Sequence, residues 1–308
     1  MAGHDANGPG AFLRANRGSI RAALAARDLA PGVFFGSATR LPLADATVQL
    51  VATSPPYPMI EMWDATFEAQ TGVPSSRPLE HFAAAHDLLG RVWAECARVV
   101  APGGILAINI GDATRTADGA FRCFANHVEV ARRLDALGLH PLVPILWKKP
   151  TNKPNAFLGS GFLPPNAYVT LDCEYILLYR KGPPRKYPAM DPLRYASAMS
   201  KAERDRWFTQ VWDVRGARQE AGRAAGTAPW PDEVAERLVR MFSLLGDAVL
   251  DPFAGTGTTL RVARALGRKA IGVEITKELE PTLRAGLAGP PDVDAVLDGL
   301  EARYPTPP

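Results

Sequence analysis

The sequence predicts an α/β protein built on a mostly parallel sheet, and three observations carry that prediction. Short apolar runs of strand length alternate with longer segments whose apolar residues recur at helical spacing. A strand, glycine turn, helix and strand follow one another near the C-terminus, where Val249-Leu250-Asp251-Pro252-Phe253-Ala254-Gly255-Thr256-Gly257-Thr258-Thr259 leads on to Ala270-Ile271-Gly272-Val273-Glu274. A compact apolar strand at 48–52 delivers Thr53-Ser54-Pro55-Pro56-Tyr57 at its C-terminal end, the end at which open α/β sheets hold ligands.

Each element has a local cause. Residues 3–10 are polar and glycine-rich, so a frayed start is expected; residues 19–29 have helix-forming composition, and Pro31-Gly32 stops that helix. Residues 33–35 read as a short strand ahead of Gly36-Ser37-Ala38. The run 79–100 repeats apolar residues at helical spacing (Phe82, Leu88, Leu89, Val92, Trp93, Cys96, Val99) and stops at Pro102-Gly103-Gly104. A strand at 105–110 ends on Gly111-Asp112, a helix follows at 125–137, and 142–147 and 175–179 read as strands around a Gly/Pro/Asn-rich stretch. Between 180 and 227 the chain turns rich in Arg, Lys, Pro and Gly and reads as an inserted module or a set of loops. Helix 231–245, strand 247–251, helix 258–266 and strand 270–274 then complete the alternation, and 279–308 supplies a helix or two and a proline-rich tail.

Composition sets outer limits. The 308 residues, 47% of them hydrophobic, suffice for a core of ample size, and no run approaches the ~20 apolar residues of a membrane span. The net charge of +3 permits a polyanionic partner without demanding one. Cys96, Cys123 and Cys173 are far apart, lack metal-ligand spacing and read as small buried hydrophobes. No metal site, disulfide framework or secretory leader is expected, and a reducing cytoplasmic setting is.

Chemistry concentrates in the two strand-end motifs. In the C-terminal unit the glycines let the backbone approach a ligand, and Glu274, about 20 residues beyond Gly255, can accept hydrogen bonds from ribose hydroxyls. A phosphate-binding P-loop would need a lysine after the second glycine, and Thr258 stands there instead. In the N-terminal motif Ser54 offers a hydroxyl acceptor, Pro55-Pro56 fixes the backbone so that a carbonyl can point the same way, and Tyr57 offers a ring face. Acceptors so placed suit an exocyclic amine, whose lone pair is delocalised until hydrogen bonds draw the nitrogen towards tetrahedral geometry. Carbon-5 methylation of cytosine would instead need a thiolate that attacks C6, usually from a Pro-Cys pair, and here the cysteines follow Glu95, Arg122 and Asp172.

The C-terminal motif is similar to the Asp-Pro-Phe-x-Gly-x-Gly-Thr loop of S-adenosylmethionine-dependent DNA amino-methyltransferases, and Ser54-Pro55-Pro56-Tyr57 resembles the Ser/Asp/Asn-Pro-Pro-Tyr/Phe signature of nucleic-acid amino-methyltransferases. The likeness extends to Phe34–Ala38, to Pro102–Gly104 with Gly111-Asp112, and to Trp147–Pro150 with Glu174–Leu177. With the catalytic half first, the order resembles the β class of these enzymes. The resemblance implies a Rossmann-like methyltransferase core with a mostly parallel seven-stranded sheet, circularly permuted motifs and a small inserted target-recognition segment. The implied divisions are an N-terminal extension (1–32), a catalytic half (33–180), the insertion (181–227), a cofactor half (228–278) and a C-terminal helix and tail (279–308).

The same resemblance implies S-adenosyl-L-methionine as cofactor, held by Ser37, Thr53, Trp230, Asp251, Pro252, Phe253, Ala254, Gly255, Thr256, Gly257, Thr258 and Glu274, with Ser54, Pro55, Pro56 and Tyr57 catalytic and no metal. The family often has His-Pro where this chain has Trp230-Pro231. The implied partner is double-stranded DNA, with Lys148, Lys149, Lys153, Arg180, Lys181, Arg185 and Lys186 as candidates for phosphate neutralisation. The target base is expected to be flipped out of the duplex. Serine in the first motif resembles cytosine-N4 more than adenine-N6 enzymes; an adenine-N6 enzyme and an RNA base methyltransferase remain alternatives. A cognate restriction endonuclease as functional partner, and monomer against homodimer, stay open.

Overall fold

The computed structural model describes residues 9–149, 158–159, 165, 167–216 and 230–304. In chain order the elements are α1 (Pro9–Ala25), β1 (Gly32–Phe35), β2 (Val48–Thr53), α2 (Asp64–Thr71), α3 (Pro78–Val99), β3 (Val100–Ile110), β4 (Ala113–Ala117), β5 (Ala120–Phe124), α4 (Asn126–Ala136), β6 (His140–Pro141), β7 (Ile145–Lys148), β8 (Leu158–Gly159), β9 (Ala167–Tyr168), β10 (Cys173–Arg180), α5 (Pro192–Ala196), α6 (Lys201–Trp207), β11 (Val211–Asp213), α7 (Asp232–Phe242), β12 (Ala248–Asp251), α8 (Thr258–Ala265), β13 (Lys269–Glu274), α9 (Glu280–Gly286) and α10 (Val293–Ala302).

The main sheet runs β1-β13-β12-β2-β3-β10-β7-β11, with β6 pairing β10. β1, β13, β12, β2 and β3 are mutually parallel, whereas β10 is antiparallel to both β3 and β7. Helices cover both faces, as the continuous apolar runs of β2, β12 and β13 require. One core joins the sheet to α3 and α4 through Trp93, Cys96, Val130 and Leu134; the other joins it to α7 and α8 through Val234, Leu238, Leu260 and Ala263.

This topology sets the site. β12 leads through α8 to β13 on one side, while β2 leads through α3 to β3 on the other, so the winding direction reverses between β12 and β2. Such a switch point opens a crevice beyond the carboxyl ends of the two strands. β2 and β12 are direct neighbours, with Leu50 opposite Val249 and Val51 opposite Leu250. The two motifs, nearly 200 residues apart in the chain, therefore emerge side by side. We call this the front edge of the sheet and the opposite one the rear edge.

The structure departs from the sequence reading in several places. Among the described residues the sheet has nine strands rather than seven; the additions are β6 and β11, of two and three residues, too short to register as apolar runs. Helix α1 begins at Pro9 rather than fraying to residue 19. Gly10 is buried against Tyr304, so closely that a Cβ there would lie 2.6 Å from the Tyr304 Cβ. The hairpin β4–β5, turning at Asp118-Gly119, was not anticipated. The first part of the insertion is not a free module either. Leu193 and Ala196 of α5 pack with Leu13, Ile20 and Leu24 of α1 and Val296, Leu297 and Leu300 of α10. Of the three cysteines only Cys96 is buried; Cys123 is exposed and Cys173 half-buried.

Candidate active site

The two motifs are joined by a buried hydrogen-bond chain. Thr53 Oγ1 donates to Asp251 Oδ1 at 2.6 Å, Thr259 Oγ1 donates to Asp251 Oδ2 at 2.7 Å, and Trp230 Nε1 donates to Thr259 Oγ1 at 3.2 Å. The Phe253 amide adds a third donor to Asp251 at 3.1 Å. Asp251 is only 4% exposed. Burial raises its carboxyl to about 6 in spite of the Thr53, Thr259 and Phe253 hydrogen bonds, which pull the other way.

Glu274 ties down the glycine loop. Its carboxylate accepts from the Gly255 amide at 2.7 Å and from the Thr276 amide at 2.8 Å, while the Gly36 amide donates to the Glu274 carbonyl. Gly255 and Gly257 have φ of +53° and +84°, values that side chains resist, and at Gly257 a Cβ would also lie 2.9 Å from Leu283. Gly255 faces open space instead. Among the described residues a Cβ there would meet only the Phe253 carbonyl at 3.9 Å, and one at Gly36 would meet nothing within 4 Å. An open glycine face bordered by two carboxylates fits a nucleoside carrying ribose hydroxyls and a cationic centre.

Ser37 and Phe253 lie at the same edge, Ser37 bonded to Thr39 at 2.9 Å and the Phe253 ring against Trp93. Pro252, Ala254, Thr256 and Thr258 complete the loop, with Ala254 N bonded to the Val273 carbonyl and Thr258 opening α8.

Beside this loop lies a second polar cluster. Ser54 Oγ and Tyr57 Oη are 3.0 Å apart, and Tyr57 Oη donates to Glu174 Oε2 at 2.9 Å. Asn109, 1% exposed, points Nδ2 at Tyr57 Oη (2.6 Å) and at Glu174 Oε2 (2.7 Å), with Ser54 Oγ at 3.4 Å. Among the described residues its Oδ1 is buried without a hydrogen-bond partner. The other Glu174 oxygen pairs with Lys149, whose ammonium also lies 4.4 Å from the centre of the Trp147 ring. Burial, and then the charge of Glu174, push the Tyr57 phenol well above its ordinary value, so it stays protonated at neutral pH. Close approach requires Gly111, where a Cβ would sit 3.0 Å from the Tyr57 ring and 3.2 Å from Glu174.

A further shell holds the loop. Asn126 Nδ2 donates to the carbonyls of Pro58 (3.0 Å) and Gly111 (2.9 Å), and its Oδ1 lies 2.9 Å from His86 Nε2. Burial lowers His86 to about 4, so the ring is neutral and Nε2 is its donor. Arg115 of the hairpin pairs with Asp64 and donates to the Met59 carbonyl. Met59 is thereby held at φ 68°, an uncommon conformation for a non-glycine residue that such contacts sustain. Glu174 and Thr259 fall inside matched segments without an assigned role, and Asn109, Asn126 and His86 belong to no motif. Asn109 and His86 are the legible exceptions, being polar letters inside otherwise apolar strand and helix patterns.

The basic residues divide by edge. Lys148, exposed at the end of β7 and opposite Cys173, stands at the front; Lys149 is there too but engaged by Glu174. Lys153 lies outside the described residues. Lys181 points to the rear, where its ammonium caps α3 through the Ala97 and Val100 carbonyls at 2.7 and 2.8 Å. Arg185 makes a two-pronged pair with Asp247 at the start of β12, and exposed Lys186 follows it. Arg180, opposite Ile105 in the rear half of β3, donates to the Gly182 carbonyl. The candidates for phosphate neutralisation therefore do not share one edge: β10 runs antiparallel to β3, so the residues just after it are delivered to the rear.

Comparison with known proteins agrees with this layout. The family model described as DNA methylase, covering N6 and N4 enzymes, matches residues 48–284. The chain is 51% identical over 269 residues to the type II methyltransferase M.MjaI of Methanocaldococcus jannaschii, covering 82% of this chain and 89% of that protein. It is 43% identical over 254 residues to M.MthZI of Methanothermobacter thermautotrophicus, covering 79% and 72%. Among solved structures, a Thermus thermophilus protein described as a putative DNA modification methylase, in complex with S-adenosyl-L-methionine, superposes with a TM-score of 0.67 at 35% identity over 86% of this chain and 96% of that one. The cytosine-N4-specific PvuII DNA methyltransferase shares the fold, with a TM-score of 0.61 at 16% identity over 90% and 94% of the two chains. The chain belongs to the N6/N4 DNA methylase family.

Proposed function

We propose that the chain methylates the exocyclic N4 amine of a cytosine flipped out of duplex DNA, using S-adenosyl-L-methionine. The observation that carries the reading is the 2.6 Å hydrogen bond between Thr53 and Asp251. It locks the strand that ends in Ser54 to the strand that ends in the glycine loop, so acceptor and cofactor cradle share one crevice. When bound there, S-adenosyl-L-methionine supplies an electrophilic methyl group on a sulfonium centre. Asp251, Glu274 and the backbone of Gly255–Thr258 would hold it.

The chain's own work is to prepare the amine. Ser54 Oγ, with a carbonyl of the rigid Pro55-Pro56 turn, accepts the amino hydrogens and draws the nitrogen lone pair out of conjugation with the ring. The Tyr57 ring, anchored through its hydroxyl, supports the flipped base. Lys148, exposed at the same edge, supports a phosphate contact. Likeness to type II methyltransferases favours a role beside a cognate restriction endonuclease.

Serine at position 54, rather than an acidic residue, favours cytosine over adenine. The test is nucleoside analysis of duplex DNA treated with the protein and S-adenosyl-L-methionine. N4-methylcytosine is expected; N6-methyladenine alone would replace the cytosine assignment with an adenine one. Modification-sensitive sequencing of DNA from expressing cells adds the recognition sequence.

A further inference from the structure

Hydrogen bonds have direction, and the partners and distances around Tyr57 favour one way for them to run. Glu174, ion-paired with Lys149 through one oxygen, has only lone pairs to offer through the other. The single Tyr57 proton must therefore go to Glu174 Oε2, at 2.9 Å. Asn109 is oriented by the same carboxylate, because turning its amide over would set Oδ1 against Glu174 at 2.7 Å; its two hydrogens go to Glu174 and to Tyr57 Oη. Tyr57 Oη has thus given its proton away and can only accept from Ser54, 3.0 Å distant. The Ser54 proton is committed inward. What Ser54 presents to the crevice is lone pairs alone.

We infer that Glu174 is a positioning and specificity-determining residue, which fixes the polarity of the Glu174–Tyr57–Ser54 chain so that Ser54 accepts only from a substrate amine and disfavours a keto oxygen in its place. The inference rests on the amine-methylating reading above and deepens it. A base bearing an amine finds an acceptor. Its deaminated counterpart, with a carbonyl at the same position, meets lone pair against lone pair and leaves Ser54 unpaired. Lys149 belongs to the device, because it holds the Glu174 oxygen that does not serve Tyr57. In Glu174→Gln the same lysine would retain the amide oxygen and turn the NH2 towards Tyr57. That NH2 also faces Asn109, whose amide would turn over to accept from it; the Tyr57 proton, released from Glu174, is then shared between Asn109 and Ser54, and the fixed polarity of Ser54 is lost.

The experiment measures binding to duplexes that carry the recognition sequence, in the presence of S-adenosylhomocysteine so that no turnover occurs. The target base is either intact or deaminated: cytosine against uracil, and in a parallel pair adenine against hypoxanthine. The wild-type protein is expected to prefer the amine by at least about tenfold in one pair. Which pair responds reports the cytosine or adenine assignment, independently of the role of Glu174. Glu174→Gln is expected to lower that preference at least tenfold while cofactor affinity and binding to a duplex without the site stay within about twofold; Glu174→Asp should retain its direction. Tyr57→Phe keeps the ring but frees the Ser54 hydroxyl, and should weaken the preference as well. A preference unchanged within twofold in Glu174→Gln overturns the inference. So does an unchanged preference in Tyr57→Phe, which decides the matter should the glutamine variant fail to fold, and so does a wild type that prefers neither amine.

Discussion

Two carboxylates at the rear and front edges of one sheet, Glu203 and Asp251, are treated in opposite ways. At the rear, Glu203 is paired with Arg240 and receives the Tyr304 hydroxyl at 2.8 Å and the Ser200 amide at 2.8 Å, and its carboxyl falls to about 2 although burial opposes this. At the front, Asp251 accepts three hydrogen bonds but pairs with no cation among the described residues, and it rises to about 6. Among the described residues the neighbouring Asn109 Oδ1 and His86 Nδ1 are buried without partners. An ion pair settles Glu203 at the rear, although Trp207 Nε1 is buried there without a partner among the described residues and burial lowers Arg268 to about 9; at the front the uncompensated groups gather around the crevice. Incomplete compensation of this kind marks functional sites.

The sharpest way to break the contrast is to remove one group from each edge. Ser54→Ala deletes an acceptor that the fold does not need. Its methylation rate should fall on the order of 10²–10³-fold, the scale seen for losing one preorganised hydrogen-bonding group, with the unfolding midpoint and cofactor affinity almost unchanged. Single-turnover rates and thermal melts check this; a normal rate would remove Ser54 from the chemistry. Glu203→Ala should do the reverse. It leaves Arg240, which is 5% exposed and lies over the Trp207 ring, with only the Tyr304 hydroxyl and a 3.9 Å approach to Glu236 among the described residues. Stability should drop by about 3–5 kcal/mol while the rate per folded molecule holds within twofold.

Acid titration separates the edges by sign. Asp251 binds its proton more tightly folded than unfolded, so its contribution favours the fold below its ordinary 3.8 and is lost as pH rises through about 6. Glu203 behaves oppositely: its support is complete above its ordinary 4.5 and is lost as pH falls towards about 2. The shift of Asp251 corresponds to about 3 kcal/mol. Denaturant unfolding of the wild type and Asp251→Asn should therefore diverge between pH 7 and 4, with the wild type gaining roughly 2–3 kcal/mol relative to the variant on acidification. Parallel profiles would mean that the burial of Asp251 is relieved.

Front and rear also differ in how far they could be read from the sequence. β2 and β12 are short, continuously apolar and closed by Pro or Gly, and their ends carry motifs whose chemistry follows from residue type; the sheet core and the cofactor loop were legible for that reason. The role of Glu174 was not, although it opens a matched segment, because it acts only through the register that sets it opposite Trp147 on β7 and two residues from the level of Asn109. Strand register is a tertiary property that no local pattern encodes. The lysines and arginines after β10 misled for the same reason. A basic run in sequence says nothing of the sheet edge to which an antiparallel strand returns it, and Lys181 and Arg185 look like phosphate ligands until their partners, the end of α3 and Asp247, are seen.

That misreading yields the smallest and most discriminating prediction. Lys148 is exposed at the front edge, next to the crevice, whereas Arg185 is held by Asp247 at the rear. If DNA lies across the front, Lys148→Ala should weaken binding by roughly 0.5–1 kcal/mol, and should lower the slope of log affinity against log salt by about 0.9, one phosphate contact. Arg185→Ala should leave that slope unchanged. It should instead cost about 1 kcal/mol or more of folding stability through the loss of a partly buried two-pronged pair. Fluorescence anisotropy on one duplex at several salt concentrations, together with chemical unfolding of both variants, decides the point. A salt slope that responds to Arg185 and not to Lys148 would move the DNA to the other edge, away from Ser54, and would leave the flipped base with no route to the crevice.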